Sequence, residues 1–163
     1  MGVANGLDAL HLALRALEVG RGEEFILANN SYIATILAVS MVGATPIMVE
    51  PDPATHNLDI DRVEQAVTPR TKAVLPTHLY GLPADLGPLL EICQRRGLFL
   101  IEDAAPAHGA RYKGRPIGGH GHLVCWSFYP SKNLGAMRDA GAVTTNDPEL
   151  ANRICVLGNY GSH

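Results

Sequence analysis

Phe99-Leu100-Ile101-Glu102-Asp103-Ala104-Ala105 is a short apolar run that ends in two acids and two alanines. Its apolar part, residues 99–101, is too brief for a helix and follows a helical pattern over 85–96, so it reads as a buried strand. The same alternation extends in both directions. Short apolar runs at 25–28, 46–49 and 73–76 are separated by helical patterns near 33–42 and 59–67. Runs at 123–128 and 142–145 add two more strands, and 148–156 reads as a last helix after the Asp147 turn. Strands that alternate with helices indicate an α/β fold, a mainly parallel sheet flanked by helices.

Ligands of open α/β sheets bind at the carboxyl ends of the strands, and here those ends carry chemistry. Asp103 closes one strand, and Ser127-Phe128-Tyr129-Pro130-Ser131-Lys132-Asn133 leaves another. If the two strands are parallel neighbours, an acid and an amine share a pocket at one rim. An isolated pair of this kind would be a surface salt bridge worth about 0–1 kcal/mol. Near the start of the chain, Leu7, Leu10, Leu14 and Leu17 recur at helical spacing, with Asn5 as cap, Asp8 at the third position and Gly20 after the end. Gly6 at that helix start lets backbone N–H groups approach an anion closely and so offers a phosphate cradle, but the helix dipole adds only roughly 0.3–1 kcal/mol, so taken alone the segment reads as an ordinary capped helix.

Composition narrows the function classes. A chain of 163 residues with 47% hydrophobic and 18% charged residues has enough apolar surface for one core, so it folds as a single domain. Thirteen Lys and Arg against 16 Asp and Glu give a net charge of -3, which leaves no basic surplus for nucleic acid. The longest mostly apolar stretch, residues 33–44, is interrupted by Thr35, Ser40 and Gly43 and falls short of the roughly 20 residues that cross a bilayer. The first residues lack the pattern of a secretory signal, so a cytoplasmic location is expected. Cys93, Cys125 and Cys155 are widely spaced with no Cys-x-x-Cys pair and read as reduced, mostly buried thiols. His120 and His122 flank Gly121 without a third ligand at diagnostic spacing, so no metal is assigned. The glycine fingerprints of P-loop and dinucleotide-binding proteins are absent.

Five segments in order carry a resemblance: residues 2–10 (Gly2-Val3-Ala4-Asn5-Gly6-Leu7-Asp8-Ala9-Leu10), 29–35, 76–81, 102–105 and 127–133. On these the chain resembles the DegT/StrS-type sugar aminotransferases, fold type I enzymes that use pyridoxal 5'-phosphate (PLP). The resemblance implies that the chain is a large-domain core of that fold. It implies Lys132 as the Schiff-base lysine and proton shuttle, and Asp103 as the carboxylate beside the pyridine nitrogen. It implies Ser127, with the N–H groups of Gly6 and Leu7, as the phosphate site, and Tyr32 as the aromatic that stacks on the cofactor ring. Two positions depart from the pattern. Pro106 stands where many relatives have Gln and offers no side-chain donor, and Arg138 precedes Asp139 where relatives tend to have Gly.

The activity implied is transfer of an amino group, from glutamate as donor, to a nucleotide-linked keto-sugar, in a homodimer. Complete members of the resembled family are more than twice this length, so residues 1–163 are expected to be a partial PLP-binding domain without the N-terminal arm and C-terminal small domain. The rival expectation is a catalytically silent fragment that serves only binding or assembly. Related dehydratases of the same fold carry histidine in place of the lysine, and Lys132 argues against that chemistry.

Overall fold

The computed structural model describes residues 1–162. After β1 (Gly2–Val3), helix α1 (Gly6–Ala16) begins where the sequence places it: the Asn5 side chain accepts a hydrogen bond of 2.8 Å from the Asp8 N–H. This satisfies one of the donors that a helix start leaves without an internal partner. The helix stops at Leu17, short of Gly20, because Glu18 takes the left-handed turn conformation itself, with φ of 58°. Ala9, Leu10, Ala13 and Leu14 bury one face of α1.

The chain then runs through β2 (Glu24–Ala28), α2 (Ile33–Met41), β3 (Thr45–Val49), α3 (Ile60–Ala66) and β4 (Thr71–Val74). A single 3-10 turn at Leu79–Gly81 leads to α4 (Leu86–Arg96) and β5 (Phe99–Asp103). A small hairpin, β6 (Arg111–Tyr112) and β7 (Arg115–Pro116), precedes β8 (Leu123–Ser127), β9 (Gly141–Thr144) and α5 (Pro148–Gly158). The major strands and helices match the sequence expectation to within a few residues. The hairpin and β1 do not appear in it. The hairpin turns on Lys113 and Gly114, both at positive φ, and lysine is not among the residues that announce such a turn.

The main sheet has seven strands in the order β1-β9-β8-β5-β4-β2-β3. Strands β8, β5, β4, β2 and β3 are mutually parallel, while β9 runs antiparallel to β8 and β1 to β9. Alternate residues feed two cores. On one face Phe25, Leu27, Ile101, Leu123 and Cys125 pack with α1, α2 and α5; on the other Ile26, Val74, Leu100 and Val124 pack with α3 and α4. Burial on both faces explains why the inner parallel strands read as unbroken apolar runs, whereas edge strand β3 leaves Met48 exposed.

Candidate active site

Strands β5 and β8 are parallel neighbours, with Asp103 in register with Cys125, two residues before Ser127. The carboxyl ends of both strands therefore open at the same rim of the sheet. A cavity of about 580 Å³ lies there, and its walls include Gly6, Leu7, Tyr32, Asp103, Ser127 and Lys132. The structure thus brings together every site residue singled out from the sequence.

Asp103 forms the buried floor and is 4% exposed. Its Oδ2 accepts a hydrogen bond of 2.7 Å from the Thr35 hydroxyl, and its Oδ1 accepts the Ala105 N–H at 3.1 Å. A parallel bridge between Thr77 and Asp103 holds its backbone: the Asp103 N–H donates to the Pro76 carbonyl at 2.8 Å, and the His78 N–H donates to the Asp103 carbonyl at 3.0 Å.

Lys132 sits half-buried on the loop that leaves β8. That loop is tied by hydrogen bonds from Lys132 N–H to the Tyr129 carbonyl at 2.8 Å and from Ala136 N–H to the Phe128 carbonyl at 2.7 Å. Near it, His108 is packed against the rings of Trp126 and Phe128, each with its centroid 5.2 Å away. Burial, and then the positive charge of Lys132, hold the His108 imidazole below its ordinary value.

One corner of the cavity is built by contact between α1 and β8. A Cβ at Gly6 would lie 2.7 Å from Ser127 Cβ and 3.1 Å from its Oγ, closer than side chains pack. Glycine therefore lets the first turn of α1 come up against Ser127. The N–H groups of Gly6 and Leu7 precede the first intrahelical donor, the Ala9 N–H that bonds the Asn5 carbonyl, and both residues line the same cavity as Ser127.

Tyr32 is the N-cap residue of α2 and stands 72% exposed at the cavity wall. That exposure keeps Tyr32 out of both cores. Pro106 also lines the cavity and brings no donor, as expected from its side chain. Arg138 is exposed and is not among the lining residues, whereas Asp139 is. Thr35 and Thr77 are lining residues that the sequence reading passed over. A signal for Thr35 existed: it is a hydroxyl residue in the first turn of a helix whose remaining residues are almost all apolar.

Among the described residues no group of three or more His, Cys, Asp or Glu is arranged to hold a metal ion, and no helix is long and apolar enough to cross a membrane. The His122 Nδ1 accepts the Leu100 N–H at 3.0 Å, which makes it a partner of β5. Cys93 and Cys125 are buried, and Cys155 is exposed.

Comparison with known proteins identifies the family. The model of the DegT/DnrJ/EryC1/StrS aminotransferase family matches residues 1–163. The chain is 56% identical over 162 residues to dTDP-3-amino-3,4,6-trideoxy-alpha-D-glucose transaminase of Streptomyces venezuelae, covering 99% of this chain and 43% of that protein. It is 53% identical to dTDP-3-amino-3,6-dideoxy-alpha-D-galactopyranose transaminase of Aneurinibacillus thermoaerophilus, covering 100% of this chain and 45% of that one. Among solved structures, S. venezuelae DesV in complex with a ketimine intermediate superposes with a TM-score of 0.97 at 56% identity, over 100% of this chain and 44% of that chain. NtdA from Bacillus subtilis, with bound cofactor PMP, superposes with a TM-score of 0.90 at 37% identity, over 96% of this chain and 35% of that chain. The chain thus spans less than half the length of these relatives. It belongs to the DegT/DnrJ/EryC1/StrS aminotransferase family, whose aminotransferases are PLP-dependent.

Proposed function

We propose that this chain is the PLP-binding large-domain core of an aminotransferase that moves an amino group, with glutamate as donor, to a nucleotide-linked keto-sugar. The observation that carries the reading is the meeting of Lys132, Asp103 and the Gly6–Leu7–Ser127 corner in one cavity. The names of the relatives, dTDP-sugar transaminases among them, support the substrate class.

The residues fit the cofactor. The corner that a Cβ at Gly6 would fill presents two backbone N–H groups and a hydroxyl, a donor set suited to a phosphate. PLP supplies an aldehyde that condenses with amines and a pyridine ring that takes up negative charge. Lys132 is the amine placed to hold that aldehyde and, once released, to move a proton at the substrate carbon. With PLP bound, the Asp103 carboxylate would hold a proton on the ring nitrogen, and Tyr32 would stack on the ring. Exposed Ile33, Leu37 and Met41 on α2 support a homodimer that covers this face.

Borohydride reduction of the protein incubated with PLP, followed by peptide mapping, is the direct test. The adduct is expected on Lys132; an adduct on another side chain overturns the reading. Loss of the amino group from glutamate with a dTDP-linked keto-sugar as acceptor then checks the substrate class.

A further inference from the structure

The Asp103 carboxylate does not stand alone at the cavity floor. Helix α2 delivers the Thr35 hydroxyl to it across 68 residues of sequence, at 2.7 Å, with Thr35 fully buried. A threonine within a helix commonly returns its hydroxyl to the carbonyl three or four residues back; here the hydroxyl donates to Asp103 instead. The Ala105 N–H binds the other carboxylate oxygen. Each oxygen of an ionised carboxylate has about two acceptor sites, so one donor on each fixes the plane of the group and leaves acceptor capacity toward the cavity.

The same helical turn carries Tyr32. The Thr35 N–H donates to the Tyr32 carbonyl at 2.9 Å, so the residue at the cavity wall and the residue that grips Asp103 belong to one rigid unit. We infer that Thr35 is a positioning residue: it orients the Asp103 carboxylate toward the ring nitrogen of the cofactor and ties that carboxylate to the Tyr32 wall. The inference rests on the PLP reading given above. Thr35 acts through Asp103 and touches no reacting atom.

The test compares Thr35→Val, which keeps the branched shape and removes the donor, with Thr35→Ser, which keeps the donor. A lost hydrogen bond to a charged group corresponds to roughly a tenfold effect or more. Thr35→Val is expected to keep the borohydride-trapped adduct on Lys132, to lower kcat about tenfold with little change in KM, and to move the nitrogen-15 signal of ring-labelled PLP. Thr35→Ser is expected to restore kcat and the signal. In an Asp103→Asn background, Thr35→Val should cost almost nothing further, because the group it orients has been disabled.

An unchanged kcat and nitrogen signal in Thr35→Val overturns the inference. So does a Thr35→Ser variant as poor as Thr35→Val, or an additive effect in the Asp103→Asn background. Should Thr35→Val fail to fold, Thr35→Cys takes its place, with a weak donor at similar volume and the same expected losses. Absence of the Lys132 adduct in the unmodified protein would instead remove the PLP reading itself, so the two failures are distinguishable.

Discussion

Glu102 and Asp103 are consecutive acids on one strand, both buried, and they differ in nearly everything else. Glu102 points away from the cavity and is fully enclosed. Its Oε2 accepts from His78 Nε2 at 2.8 Å and its Oε1 from the Gly121 N–H at 2.5 Å. Because His78 Nδ1 accepts the Ala84 N–H at 3.1 Å, the ring proton must sit on Nε2, and the imidazole is a neutral donor to the carboxylate. Asp103 also has two protein donors, yet it lies on a cavity wall with acceptor sites to spare. Burial alone does not mark a functional acid. What distinguishes the two is whether the remaining lone pairs meet protein or open space.

Substitutions can break this contrast, and the largest effect is expected at the amine that shares the cavity with Asp103. Lys132→Ala should lower turnover about 10²–10⁴-fold, the usual weight of general acid–base transfer, and abolish the borohydride adduct. Normal steady-state transamination in that variant would end the assignment. Asp103→Asn should retain cofactor and lose about 10²–10³-fold in rate, since the amide cannot hold a ring proton electrostatically. Equal rates for the two forms would place Asp103 with Glu102, as a structural acid.

Smaller effects sharpen the comparison from the structural side. Gly6→Ala should weaken PLP binding through an overpacking cost of about 1–3 kcal/mol, because the added methyl displaces Ser127; a titration of visible absorbance against PLP reads this directly. Glu102→Gln presents an amide that can accept from only one of His78 and Gly121, which sets two donors against each other. It should cost about 1–3 kcal/mol of stability by denaturant unfolding and leave the Lys132 adduct intact. A stability unchanged by Glu102→Gln would mean that the enclosed pair contributes nothing to the fold.

The smallest effect concerns the thiols, one in each core and one outside. Burial pushes Cys93 up to about 12, and burial followed by the Asp103 and Glu102 charges pushes Cys125 well above its ordinary value. Both stay protonated at pH 8, so an alkylating reagent should label Cys155 alone in the native protein. Rapid labelling of Cys125 would show that the cavity floor opens to solvent.

Much of this architecture is legible in local sequence. The apolar runs and their helical separators identify the parallel strands, and the inner ones show no polar alternation because both of their faces are buried. Asn5 announces the start of α1 because a capping interaction spans only three residues. Features that miss are those whose signal is short or ambiguous. Strand β1 has two residues, the hairpin turns on an atypical lysine, and the end of α1 relies on Glu18 in a conformation that glycine usually takes.

The order of residues by itself determines that an acid and a lysine each follow a strand, and that Glu102 and Asp103 face opposite sides, since side chains alternate along a strand. Tertiary structure decides that β5 lies beside β8, which is what puts Asp103 and Lys132 at one cavity. It also decides the fates of the two acids, through His78 and Gly121 for one and Thr35 for the other. Those partners are 24, 19 and 68 residues away in the chain. No local propensity encodes a contact at such separations; it exists only once burial of both sheet faces has brought the helices and loops together.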